Sequence, residues 1–92
     1  MRLIGREKLA SLKGIGNEIE KWVLSWIAEV TNAHWKHPAD VRNQFPNAKE
    51  KGNGSFLFPV GNCDVAIQLL IAFPQGIALI TDLKASEDTH EH

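Results

Sequence analysis

A group of basic side chains around one tryptophan, near the middle of the chain, has residue types that could do chemistry. His34, Lys36, His37 and Arg42 lie on either side of Trp35 in the sequence. Their cationic groups could contact the phosphates of an RNA while the indole ring stacks on a base. Alternatively, Trp35 packs in the protein core and the charged groups remain in solvent. The residues alone leave both interpretations open.

Metal and thiol chemistry have less support in the sequence. His34 and His37 are three residues apart, a spacing that a metal site on a helix could use. Pro38 argues against one continuous helix there, and no cysteine or pair of carboxylates completes a ligand set. Cys63 has no basic neighbour in sequence that would favour its thiolate. We therefore expect no metal, no cofactor and no nucleophilic cysteine.

The charges are distributed unevenly along the chain. Ten Lys and Arg stand against 11 Asp and Glu, a net charge of −1, whereas a nucleic-acid-binding protein usually carries a positive excess. Lys49 and Lys51 extend the basic group of residues 34–42, but no Lys, Arg or His lies between Gly52 and Leu83. Beyond that segment, Lys84 is the main cationic candidate. RNA binding would therefore depend on where these few cations lie.

Length and composition predict one folded domain. With 92 residues, 43% of them hydrophobic, we expect a single domain over residues 1–92. One cysteine rules out an internal disulfide and fits a reducing compartment. The start shows no signal peptide, and the longest apolar stretch, Leu69 to Phe73, is far too short to span a bilayer. We therefore expect a soluble cytoplasmic protein without a membrane segment.

Helix signals occupy the first half of the chain. After a possible short strand at Leu3-Ile4, a first helix is expected over Arg6 to Leu12. Apolar residues then recur at spacings of three and four, which predicts a long helix from the N-cap Asn17 to about Thr31. A short helix over Pro38 to Phe45 follows, because proline suits a first helical position.

The two tryptophans of the long helix are one turn apart. Trp22 shares a face with Ile19, Val23 and Ile27, so we expect it to be the core anchor. Trp26 lies close to that face, and we expect it at the margin of the core.

The second half of the chain predicts strands. Asn47 to Ser55 is polar and glycine-rich and is interpreted as a linker. Three apolar segments follow, with short connections that imply antiparallel hairpins: Ser55 to Val60, Asp64 to Phe73 and Gly76 to Leu83. The predicted fold class is therefore α+β, a two-layer domain with N-terminal helices packed on a C-terminal antiparallel meander.

The middle strand of that meander is apolar on both sides. A half-exposed antiparallel strand should alternate between apolar and polar residues, but Gln68 is the one neutral polar residue between Ala66 and Phe73. We therefore expect both faces to be covered, one of them by a protein partner or a second copy of the chain.

Several short motifs occur in the order seen in one known family. The chain begins Met-Arg-Leu-Ile, and the block Trp-Lys-His-Pro-Ala-Asp-Val-Arg stands at Trp35 to Arg42. Gln44 to Ala48 come next, and Phe58 to Asn62 form an aromatic strand with a Gly-Asn turn. In these residues the chain resembles HigB-type toxins of the RelE-like toxin–antitoxin superfamily, over nearly its whole length.

This resemblance implies a RelE-like fold, ribosome-dependent cleavage of mRNA, and inhibition by a helix-turn-helix antitoxin. In such cleavage a 2′-hydroxyl attacks its own 3′-phosphate. A base must take the hydroxyl proton, cations must offset the phosphorane charge, and an acid must protonate the departing 5′-oxygen. The catalytic candidates under this resemblance are Lys84, Arg42 and Lys36, and the RNA-binding candidates are His34, His37, Lys49 and Lys51.

The strands depart from the family pattern where this chemistry would lie. Asp64 and Val65 occupy the positions of a family Tyr and Arg, Thr81 that of an Arg, and Ser86 that of a His. These departures support an alternative function, a catalytically degraded RelE-like domain that acts as a protein-binding module or a homodimer through the sheet.

Overall fold

The computed structural model describes residues 1–12, 14, 16–61 and 64–85 of the chain. The sequence-based interpretations of Cys63 and Ser86 therefore lie outside the described residues. Strand β1 spans Arg2–Ile4, and a 3-10 helix spans Arg6–Leu12. Two α-helices and four further strands follow: α1 (Asn17–Thr31), α2 (Pro38–Gln44), β2 (Lys49–Gly52), β3 (Ser55–Pro59), β4 (Val65–Ala72) and β5 (Ile77–Ala85).

The helix predictions are largely confirmed. The long helix ends at Thr31 as expected, but its N-cap is Gly16, so Asn17 is its first residue rather than its cap. The predicted first helix has the expected bounds in the tighter 3-10 form. None of the helices in the described part of the chain has the length and apolar character needed to cross a bilayer.

Helix α2 begins with a proline and a carboxylate cap. Pro38 stands in its first turn, where a missing N–H costs no helical hydrogen bond. The Asp40 carboxylate accepts the backbone N–H groups of Lys36, at 2.8 Å, and of His37, at 3.2 Å. These two hydrogen bonds, that from Lys36 most of all, lower the pKa of Asp40 below its ordinary value. The sequence Lys-His-Pro-Ala-Asp thus specifies where α2 begins.

The sheet is mixed and has five strands, in the order β1-β5-β4-β3-β2. Strands β2 to β5 pair with their chain neighbours in antiparallel fashion, whereas β1 pairs with β5 in parallel. The α+β class is confirmed. The predicted arrangement of N-terminal helices followed by an antiparallel meander is not confirmed, because strand β1 precedes the helices and joins the edge of the sheet in parallel with β5.

The predicted linker from Asn47 to Ser55 contains strand β2 and a tight turn. Asn53 and Gly54 both have positive φ, of 55° and 82°. A Cβ at Gly54 would lie 2.6 Å from the carbonyl oxygen of Ile71, so the turn requires glycine both for its conformation and for its close approach to β4. β2 was missed because all its residues are exposed, so it carries no apolar pattern.

The core lies between the helices and one face of the sheet. Its centre is aromatic: Trp26 is 1% exposed and meets Phe58 edge-on, with ring centroids 5.5 Å apart. Trp22 is half-buried and stacks beside Trp26. The predicted roles of the two tryptophans were therefore wrong, and Trp26 is the core anchor. The main cluster also includes Val30, Val41, Ile67, Leu69 and Ile80.

Candidate functional site

The candidate site is on the face of the sheet away from the helices, which we call the outer face. On β4, Ile67, Leu69 and Ile71 belong to the core cluster with the helices. The residues between them therefore point the other way, because successive side chains of a strand alternate between faces. Ala66 is buried there outside the main cluster, and Leu70 is 42% exposed.

A β-bulge in β5 decides which side chains reach this face. Ile80 pairs with Leu69, and Asp82 pairs with Gln68, so Thr81 is an extra residue in β5. Its hydroxyl donates to the backbone carbonyl of Gln68 at 3.3 Å. Strict alternation from the buried Ile80 would direct residues 82 and 84 to the core. The extra residue reverses their direction, as bulges commonly do beside functional sites.

Register places four polar side chains on the outer face. Lys84 pairs with Ala66, while Asp82 pairs with Gln68 in the neighbouring row. That row continues through Leu57 to Lys49 on β2. We call Lys49, Gln68, Asp82 and Lys84 the polar half of the outer face.

Lys84 and Asp82 form a loose ion pair within the polar half. The Lys84 ammonium is 4.0 Å from the Asp82 carboxylate, and the two side chains are 45% and 60% exposed. Water screens such a pair, so it holds the ammonium only weakly. The ammonium can therefore turn toward an anionic ligand. Beside it, the Gln68 amide donates to the Ser55 hydroxyl at 3.3 Å.

The remainder of the outer face is apolar. Ile4, Leu79 and Leu70 are register neighbours on β1, β5 and β4. They are 39%, 37% and 42% exposed, and together they form a row across three strands that we call the apolar half. We expected both faces of β4 to be covered. Within this chain the inner face is covered by the core, whereas the outer face is only partly covered.

The basic group around Trp35 lies on the helix side of the sheet. Trp35 itself is 4% exposed and donates its indole N–H to the Gln44 side-chain oxygen at 3.0 Å. The core interpretation of Trp35 is therefore confirmed, and its ring is not available to stack on a base. His34, Lys36 and His37 are exposed in the connection between α1 and α2.

Arg42 is already engaged in an ion pair with Glu50 on β2. Glu50 pairs in register with Phe56, a core residue, and therefore lies on the inner side of the sheet. Lys84 lies on the opposite side. Lys84 thus shares a face of the sheet with Lys49, with β3 and β4 between their strands, but not with Arg42. Lys51 is exposed on β2.

Sequence reasoning missed Asp82 and Gln68 as site residues. Asp82 is two residues from Lys84, a spacing that puts both side chains on one face of a strand, and this signal could have paired them. Gln68 carries a weaker signal, as a polar residue inside an apolar strand. Among the described residues, no group of three or more His, Cys, Asp or Glu could hold a metal.

An α+β domain with an open sheet face carrying a few cations is consistent with a RelE-like toxic component. Residues 19–88 match the HigB toxin family, described as the RelE-like toxic component of a toxin–antitoxin system. The chain belongs to this family. No curated protein sequence matches it.

The block that carries the resemblance is accounted for by the fold. Trp35 and Val41 are buried, Asp40 caps α2, and Arg42 pairs with Glu50. These contacts position α2 against the sheet, and none of them requires an RNA. The motif therefore has a structural role in positioning α2.

Proposed function

We propose that the protein is the nuclease of a toxin–antitoxin pair, cleaving mRNA on the ribosome in the cytoplasm, with a helix-turn-helix antitoxin as its inhibitor. The family assignment supports a toxin with an antitoxin partner. The observation that carries the nuclease proposal is the bulge at Thr81, which directs Lys84 and Asp82 to the outer face. A bulge that exposes two charged residues instead of continuing the core pattern indicates a functional use.

The polar half can supply two of the groups that cleavage needs. Asp82 would accept the 2′-hydroxyl proton as the 2′-oxygen bonds to phosphorus, and Lys84 would offset the charge on the phosphorane. The bond from phosphorus to the 5′-oxygen then breaks, and water protonates that oxygen. Lys49 lies in the same row as Asp82, with β3 and β4 between their strands, where it would contact a phosphate further along the RNA.

The remaining candidates would act outside this centre. His34, Lys36 and His37 are exposed on the helix side, where they would contact ribosomal RNA or flanking mRNA, with Lys51 at the β2 edge. Arg42 would have to leave Glu50 to join them. Because the structure separates these residues from Lys84, we expect their loss to weaken binding rather than to slow the bond-breaking step.

Induction of the chain in bacteria tests this proposal. Wild-type induction should arrest growth and produce new mRNA 5′ ends within translated regions, whereas Asp82→Asn should do neither. Induction of wild type that neither slows growth nor creates new mRNA ends would contradict nuclease activity. An immunoblot for equal protein levels serves as the control.

A second candidate function is a protein-binding or homodimeric module without nuclease activity. It is favoured by the apolar half, since three large side chains remain partly exposed in one row. Light scattering of the purified chain should then report a dimer, and Leu70→Glu should split it while the helical signal is kept. A monomer at high concentration would remove this alternative.

A further inference from the structure

A cavity of about 340 Å³ lies on the helix side of the molecule, away from the polar half of the outer face. It is partly open to solvent and is lined by α1, by the end of α2 with the loop after it, and by the end of β3. Four aromatic side chains form much of its wall: Trp22, Trp26, Phe45 and Phe58. Its size suits one side chain or one small planar group.

One wall residue has a hydrogen-bond donor without an acceptor. The indole N–H of Trp26 is enclosed, and the structure gives it no partner. A buried donor without an acceptor costs free energy, and such groups are rare in folded proteins. Because this N–H is fully buried, a ligand in the cavity would meet the Trp26 ring rather than the N–H.

A chain of hydrogen bonds holds a carboxylate at the cavity wall. The indole N–H of Trp35 can only donate, so the Gln44 atom that it meets at 3.0 Å is the side-chain oxygen. The Gln44 amide nitrogen is then directed toward the Glu29 carboxylate, 3.4 Å away. Gln44 and Glu29 both line the cavity. The exposed Glu29 carboxylate thus has a long contact with Gln44, which is itself held by the buried Trp35.

The charges of the wall select the ligand class. Glu29 is the one ionisable residue among the described residues that line the cavity, and no Lys, Arg or His accompanies it. A phosphate would therefore meet only a negative charge. A cation would meet both the carboxylate and the electron-rich faces of aromatic rings, which attract Lys and Arg side chains.

We propose that this cavity receives a basic side chain, an arginine above all, from a protein partner, and that the partner is the antitoxin implied by the family. A guanidinium is planar, stacks on aromatic rings and pairs with a carboxylate, which are the two features that the cavity wall offers. The proposal rests on the family assignment and not on nuclease activity. Failure of the arginine-binding proposal therefore does not decide whether the protein is a nuclease, and loss of the nuclease proposal does not decide whether the cavity binds arginine.

The test is a titration of the full chain with N-acetyl-arginine methylamide, followed through the indole N–H signals in ¹⁵N–¹H NMR spectra. The Trp26 signal should move saturably, with a Kd on the order of millimolar, as expected for a ligand this small. The uncharged isostere N-acetyl-citrulline methylamide should bind about 3- to 10-fold more weakly, since it lacks the cation.

Two glutamates of α1 provide a matched pair of variants. Glu29→Gln should abolish the preference for arginine over citrulline, while Glu18→Gln, which removes an exposed carboxylate outside the cavity wall, should preserve it. Circular dichroism checks that both variants remain folded. Absence of any saturable shift would mean that the cavity holds water only and would overturn the proposal. Equal binding of the citrulline compound, or tighter binding of adenosine monophosphate, would overturn it as well.

Discussion

The two faces of the one sheet differ sharply in how completely the chain covers them. On the inner face Phe56, Ile67 and Ile80 are fully enclosed, whereas Leu70 and Leu79 on the outer face are 42% and 37% exposed. The inner face is closed by the helices and their connection. The fully enclosed side chains of the sheet are therefore concentrated on the inner face, whereas the outer face leaves large apolar side chains partly in solvent.

This difference changes how the family resemblance is interpreted. The Trp35–Arg42 block, the most specific part of the resemblance, serves the closed side through buried residues, a helix cap and one ion pair. Among the described departures from the family pattern, Val65 packs against the core and Thr81 is the extra residue of the bulge in β5. The resemblance carried by this block therefore concerns the architecture of the closed side.

The largest expected effect is a difference in folding between variants at two adjacent residues of β4, Leu70 and Ile71, whose side chains point to opposite faces of the sheet. Ile71→Glu should leave the domain unfolded, because Ile71 is 4% exposed and burial of an unpaired carboxylate is strongly unfavourable. Leu70→Glu should retain a folded chain with the wild-type circular dichroism spectrum. If Leu70→Glu unfolded and Ile71→Glu did not, the assignment of the two faces would be reversed.

A smaller effect is expected from the two tryptophans of α1. Trp26→Ala should lower the free energy of unfolding by about 3–5 kcal/mol, the usual cost of truncating a buried tryptophan. Trp22→Ala should cost clearly less, because Trp22 is only half-buried. Urea denaturation of both variants measures the difference. Equal losses would show that the indole of Trp22 contributes as much to the core as that of Trp26.

The smallest effect is a pH dependence at the start of α2. The pKa of Asp40 is lower in the folded state than its ordinary value of 3.8. The ionised carboxylate therefore stabilises the fold at pH values above 3.8, and this stabilisation is lost as the pH falls through the lowered pKa. Asp40→Asn should therefore be less stable than wild type at pH 7, and the gap should narrow as pH falls from about 5 to about 2. Asp64→Asn, at an exposed carboxylate outside the cap, is the matched control. A stability difference between wild type and Asp40→Asn that did not change with pH would contradict the role of the ionised Asp40 carboxylate as a helix cap.

The sequence predicted those elements whose signals are local. Helix α2 begins at Pro38 because a proline and a capping aspartate lie close together in the chain, and α1 ends at Thr31 where its apolar spacing stops. Strand β2 has no such signal, since all of its residues are exposed. The parallel pairing of β1 with β5 joins residues more than 70 positions apart, such as Arg2 and Ile77, which no local pattern can reveal.

The site was predictable only in part, for the same reason. Lys84 was identified as a cation, but its direction depends on the extra residue Thr81, and strict alternation would have turned it inward. Trp22 and Trp26 both fall on the apolar face of α1, and their depths are set by contact with Phe58 from another strand. Side-chain type can be taken from sequence, whereas direction and depth depend on tertiary pairing.

The most direct test of the outer face as the place of RNA cleavage is a ribosome-dependent cleavage assay with purified protein. Lys84→Ala should cleave about 10- to 1000-fold more slowly than wild type, the range expected when one electrostatic contact to the transition state is lost. Lys84→Arg should keep much of the rate, because it keeps the charge. Lys21→Ala, which removes an exposed cation on α1, should cleave at the wild-type rate. Wild-type cleavage by Lys84→Ala would contradict the account.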